Sequence, residues 1–183
     1  MTDVIKKIGV AGSNHSGAFM AWVMAACGYP VIFCDPSMSE VKQGIILIEE
    51  SLKGEFAKNG REGNTANTVM NRIILSDRYE DLADVDVLFE VFFDDIEIKK
   101  DFYVLIDGIC KDKCVFATNT PLLGLSDIAA ASRRADRVVG ASFSSGYSKA
   151  QVLEIVRGEA TSDETFDLMV RLGKSLATYE EAR

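Results

Sequence analysis

The chain has 183 residues, 48% apolar and 26% charged, with a formal charge of −8, one histidine, four cysteines and three prolines. Such a length predicts a single domain whose core needs neither disulfide nor metal. One histidine excludes a zinc site built on several imidazoles of one chain. The acid excess argues against nucleic acid, and no apolar run reaches the roughly 18 residues of a membrane span. The start MTDVIKKIGV leads into glycine and polar residues rather than a secretory apolar region. Cys27 and Cys34 lie inside apolar segments and read as free thiols of a reducing, cytoplasmic compartment. Cys110 and Cys114 stand at helical spacing, but a strand is expected to begin at Cys114, which argues against a disulfide.

Along the chain, Lys7 to Gly12 (KIGVAG) reads as a buried strand and Ser16 to Cys27 as an apolar helix closed by Gly28. Pro30 to Asp35 is a second strand ending on an acid. Val41, Ile45, Ile48, Leu52 and Phe56 form the stripe of a long amphipathic helix. Lys58 to Asn71 is polar, a turn and a short helix, followed by strands at Ile73 to Ser76 and Val85 to Phe92. Acid is dense from Glu80 to Asp101, which predicts a solvated surface. Ile96 to Ile109 is a helix with Ile98, Phe102, Leu105 and Ile109 on one stripe. Cys114 to Thr118 and Arg137 to Phe143 are strands around a short helix from Ser126 to Ser132, and Gln151 to Val156 is another strand. Thr161 and Glu164 have the spacing of a capping box for a last helix carrying Phe166, Met169, Val170 and Leu176. This alternation predicts an α/β fold, a Rossmann-type doubly wound, mostly parallel sheet with a helical excursion after the second strand.

The first strand–helix junction reads Gly12-Ser13-Asn14-His15-Ser16-Gly17. In a G-x-G-x-x-G dinucleotide loop the first glycine makes the turn, the second lets backbone approach the pyrophosphate, and the third lets helix and strand pack closely. Here Gly12 and Gly17 keep the first and third places, and Asn14 holds the second. Asn tolerates left-handed backbone, yet its side chain takes space that phosphates would use. Asp35 closes the second strand, where an acid binds the adenosine ribose hydroxyls and favours NAD over NADP. His15 faces the phosphate side, as a donor there or as a surface residue.

From Lys7 to Lys174 the sequence resembles the NAD-binding domain of the L-3-hydroxyacyl-CoA dehydrogenase family. The resemblance rests on KIGVAG, AACGYPVIFCD, IEESLKGEFAKNG, DLADVDVLFEVFFDDIEIKKDFY, FATNT, RADRVVGASF and VLEIVRGEATSDET, in order and correctly spaced. It implies NAD as cofactor and an acyl-CoA ligand, with Asp94 and Lys99 contacting the cofactor and Ser51 and Lys58 the CoA moiety. It also implies a catalytic dyad, a strand-borne His acting as base and a Glu a dozen residues on that orients it. The acid is Glu154, but the base position falls on Ser142, and the family's HFFNP has become Ser142-Phe143-Ser144-Ser145-Gly146. Asn119 matches the Asn of the family's Asn-Thr pair, while the substrate-holding hydroxyl beyond it falls on Pro121, which has no donor.

In the family a helical domain follows this one, closing the acyl pocket and forming the dimer; here the sequence reads LGKSLATYEEAR where that linker would begin. The expectation is therefore one dinucleotide-domain-like unit over residues 1–183. It would associate as a homo- or hetero-oligomer through the face that the helical domain would cover. Two functions are open. One is a non-catalytic subunit that binds nucleotide or acyl-CoA, or stabilises a partner. The other is an NAD-dependent 3-hydroxyacyl-CoA oxidoreductase whose pocket a partner chain completes, with Ser142, Glu154 and Asn119 at its centre.

Overall fold

The computed structural model describes residues 4–56, 66–91, 95–119, 124–143 and 153–181, with side chains described for all but 51–56, 66 and 177–181. The elements run β1 (Ile8–Ala11), α1 (His15–Ala26), β2 (Val31–Cys34), α2 (Met38–Phe56), α3 (Ala66–Met70), β3 (Ile73–Ser76), β4 (Val87–Glu90) and α4 (Ile96–Asp107). They continue with β5 (Val115–Thr118), α5 (Leu125–Ala131), β6 (Val138–Phe143), β7 (Leu153–Arg157) and α6 (Asp163–Glu181). The strands form one sheet in the order β3-β2-β1-β4-β5-β6-β7. The first six pair in parallel and β7 runs antiparallel to β6.

β1, β2, β4 and β5 are buried at every position, which is why each reads as a continuous apolar run rather than an alternation. Their alternate residues feed two cores. Val10, Phe33, Phe89 and Ala117 meet α1, α2 and α6 on one face. Ile32, Leu88 and Phe116 meet α4 and α5 on the other. Helix α1 is buried almost all round because it lies in the first core, and Gly28, at φ 100°, supplies the left-handed residue that ends it. Among the described residues no helix is long and apolar enough to cross a membrane, and all four cysteines are free thiols.

Three expectations are corrected. On α4 the buried stripe is Lys99, Phe102, Tyr103 and Ile106, while Ile98 and Leu105 are 57% and 51% exposed. The helix is turned by about one residue because Lys99 has an internal partner, described below. For the same reason the acidic stretch is not uniformly solvated, since Glu90 is fully buried. On α6 the cap is Ser162, whose Oγ accepts from the Thr165 N–H at 3.2 Å. The Thr161 hydroxyl instead donates to the Val138 carbonyl at 2.6 Å and accepts from the Gly158 N–H, tying the helix start to β6.

Candidate functional site

The carboxyl ends of the six parallel strands share one edge, and the strand order reverses between β1 and β4. Open α/β sheets bind ligands at such a switch point. Gly12 follows β1 with φ 108°, a conformation that L side chains rarely adopt. A Cβ on Gly17 would lie 1.9 Å from the Gly12 carbonyl oxygen, so a third glycine is needed for α1 to approach the loop. These are the two glycine roles the sequence pattern assigned. Asp35, just past β2, is drawn onto the same loop. Its Oδ2 accepts from the Ser13 N–H at 3.1 Å and the Ser13 Oγ at 2.9 Å, and its Oδ1 accepts from the Ser37 N–H at 3.1 Å. Three donors thus use most of the roughly four acceptor positions of a carboxylate. His15 is exposed at the first position of α1.

Asn14 caps α1 in extended backbone, φ −63° and ψ 177°, so the left-handed tolerance of asparagine is not what selects it. Its Oδ1 accepts from the Gly17 N–H at 2.9 Å and its Nδ2 donates to the Val91 carbonyl at 2.6 Å. Val91 follows β4, and its own N–H bonds to the Ala11 carbonyl. The Asn14 amide therefore spans the switch point from the β1 side to the β4 side.

Beside the crevice, Glu90 ends β4 with both carboxylate oxygens engaged, by Lys99 Nζ at 2.6 Å and by Thr118 Oγ at 2.8 Å. Lys99 and Glu90 are 2% and 0% exposed at the side chain, so this is a fully desolvated ion pair. Burial next to the Glu90 charge pushes the Tyr103 hydroxyl well above its ordinary pKa. The ammonium of Lys99, expected at the cofactor, is directed into this cluster. The Asn119 N–H donates to the Glu90 carbonyl, which holds the end of β5 against β4.

Ser142 and Glu154 are direct partners across the antiparallel β6–β7 ladder, so their Cβ atoms are about 5 Å apart on one face of the sheet. Thr118 pairs in register with Gly140, and Ser142 lies two residues further toward the carboxyl edge. That is roughly 6.6 Å at 3.3 Å per residue. Glu154 is exposed and Ser142 half-buried. Asp94, Lys58, Pro121, Ser144, Ser145 and Gly146 lie outside the described residues, as does the side chain of Ser51.

Sequence reasoning singled out the glycine loop, Asp35 and the Ser142–Glu154 pair, and the fold brings each group together at this edge. It missed Glu90, Thr118 and Tyr103 as a buried polar cluster. The signal was available, because Glu90 is an acid inside the apolar run VLFEVFF, with Lys99 a short way on.

A topological switch point, a glycine turn and an acid after the second strand are the features of a dinucleotide-binding α/β domain. Residues 7–179 match the family model described as 3-hydroxyacyl-CoA dehydrogenase, NAD binding domain, and the chain belongs to that family. It is 30% identical over 170 residues to a 3-hydroxybutyryl-CoA dehydrogenase of Clostridioides difficile, covering 93% of this chain and 60% of the relative. A second 3-hydroxybutyryl-CoA dehydrogenase, of Bradyrhizobium diazoefficiens, is 29% identical over 185 residues, covering 99% and 63%. The crystal structure of (S)-3-hydroxybutyryl-CoA dehydrogenase PaaH1 from Ralstonia eutropha superposes with a TM-score of 0.89 at 28% identity, over 95% of this chain and 62% of that one. The chain thus spans about six-tenths of the length of these relatives.

NAD is the cofactor of the matched family domain. Gly12 and Gly17 keep the turn and the close approach of a dinucleotide loop, and Asp35 stands just past β2, the position at which an acid meets the adenosine ribose, with its carboxylate engaged by Ser13 and Ser37. Asn14 stands at the second glycine's place in the loop, and its side chain caps α1 by accepting from the Gly17 N–H.

Proposed function

We propose that the chain is a nucleotide-binding member of its family that does not oxidise 3-hydroxyacyl-CoA thioesters with its own residues. The reading rests on the cross-strand pair Ser142–Glu154. The family's chemistry needs a base of pKa near working pH at the Ser142 position, and a serine hydroxyl does not titrate there. Nor does His15 substitute for it. β1, the strand leading to His15, lies three strands from β6, about 14 Å at the usual strand spacing. Asp35 and the two glycines support retention of a nucleotide, with NAD as the cofactor and an acyl-CoA as the second ligand. An oligomer with a helical partner domain belongs to the same proposal.

Retention of Glu154 favours one other reading, in which a partner chain brings the imidazole and turnover is shared between two polypeptides. Fluorescence titration of NADH, with and without acetoacetyl-CoA and with and without co-purifying proteins, separates the two. The first reading predicts saturable NADH binding that neither addition converts into NADH consumption. Consumption that appears only with a co-purified protein supports the shared site.

A further inference from the structure

The Asn14 side chain makes two hydrogen bonds at the switch point, beside the first turn of α1 and at the loop position where the dinucleotide pattern has its second glycine. Its Oδ1 takes the Gly17 N–H at 2.9 Å, one of the amides at the N-terminus of α1, where anions are favoured, and its Nδ2 closes on the Val91 carbonyl at 2.6 Å. The residues around it are those of a working loop. Gly12 makes the turn at φ 108°, Gly17 leaves the close approach that any Cβ would block, and Asp35 reaches the loop through Ser13. The exception to the pattern is therefore the residue whose side chain bridges β1 and β4.

We infer that Asn14 is an intramolecular latch that stands in for the diphosphate and weakens dinucleotide binding, so that NAD(H) enters only when both of its side-chain hydrogen bonds are released. The inference rests on the nucleotide-binding reading above and adds to it the residue that sets affinity. A neutral amide can play this part because it carries both an acceptor for the helix N-terminus and a donor for the strand carbonyl. A glycine has neither, yet it is nearly as good as asparagine at a helix N-cap, so removing the latch leaves α1 intact.

NADH titration of wild type, Asn14→Gly and Asn14→Asp tests the latch, with folding of each checked by circular dichroism. Asn14→Gly is expected to tighten NADH at least about tenfold, which corresponds to 1.4 kcal/mol. Asn14→Asp keeps the acceptor for Gly17 but brings a negative charge to the diphosphate, and is expected to weaken NADH by a similar factor. A second readout is the side-chain amide resonance of Asn14 in wild type, which must shift as NADH saturates the protein. Equal NADH affinity in all three proteins, or an Asn14 amide unmoved at saturation, overturns the latch and leaves nucleotide binding standing. Failure of both wild type and Asn14→Gly to bind NADH at all overturns the nucleotide-binding reading, and the latch with it.

Discussion

Replacing Lys99 with Met strips the cation from a carboxylate that has no solvent access. In the native protein Lys99 Nζ sits 2.6 Å from Glu90 Oε1, with 2% and 0% of the two side chains exposed. Breaking one partner of such a pair costs about 3–5 kcal/mol, because the remaining charge stays buried without its counter-ion. Thr118 still donates to Oε2 at 2.8 Å, so the lower end, about 3 kcal/mol, is expected. A domain of this size loses roughly 2–4 °C of Tm per kcal/mol, which gives a fall of about 6–12 °C. Thermal melting followed by circular dichroism, with urea midpoints as a second measure, reads the effect. The double variant Lys99→Met/Glu90→Leu removes both charges and is expected to recover part of the loss, since a well-packed apolar replacement of a buried pair is often neutral. A single variant within about 2 °C of wild type would refute the argument that Lys99 is held there by Glu90.

Further outcomes follow from packing and ionisation. Gly17→Ala places a Cβ 1.9 Å from the Gly12 carbonyl oxygen. Backbone must shift, and a drop in urea midpoint worth at least about 1–3 kcal/mol is expected. Burial alone would raise the Asp107 carboxyl, but the hydrogen bonds from Arg133 and Arg134 outweigh it and hold the pKa below its ordinary value. Stability from this group is therefore complete above the unfolded value of 3.8 and is lost as pH falls through the lower folded value. Asp107→Asn should accordingly flatten the acid limb of a stability-against-pH curve. Burial, opposed in part by the Ser76 hydrogen bond and reinforced by Asp35, pushes the Cys34 thiol up to about 12. Alkylation of the native protein at mildly basic pH is expected to label half-buried Cys27 ahead of Cys34, Cys110 and Cys114, as peptide mapping would show.

Much of the fold was legible because parallel strands buried on both faces write themselves as unbroken apolar runs, as in KIGVAG and PVIFC. The dinucleotide loop was legible because its glycines are demanded by backbone geometry rather than by contacts made elsewhere. Helix α4 was harder. An apolar count puts Ile98 and Leu105 inward, whereas the structure buries Lys99 against an acid on a neighbouring strand. Periodicity has no access to that non-local partner. The same limit explains the start of α6. Thr161 and Ser162 are both competent caps by type, and only the position of the Val138 carbonyl decides that Thr161 is spent on β6. At the site, the family resemblance picked out Ser142 and Glu154, and the register of β6 and β7 sets them opposite one another. It did not reveal that Asn14 would reach Val91, a contact between residues 77 positions apart in the chain.

The proposed function sets a nucleotide-binding scaffold beside a site in which Ser142, and not a base, stands opposite Glu154. The most direct measurement is the rate of NADH oxidation by the purified chain in the presence of acetoacetyl-CoA, taken beside NADH binding on the same preparation. Measurable NADH binding and a rate indistinguishable from the protein-free control are expected. Sustained turnover by the isolated chain would contradict the proposed function.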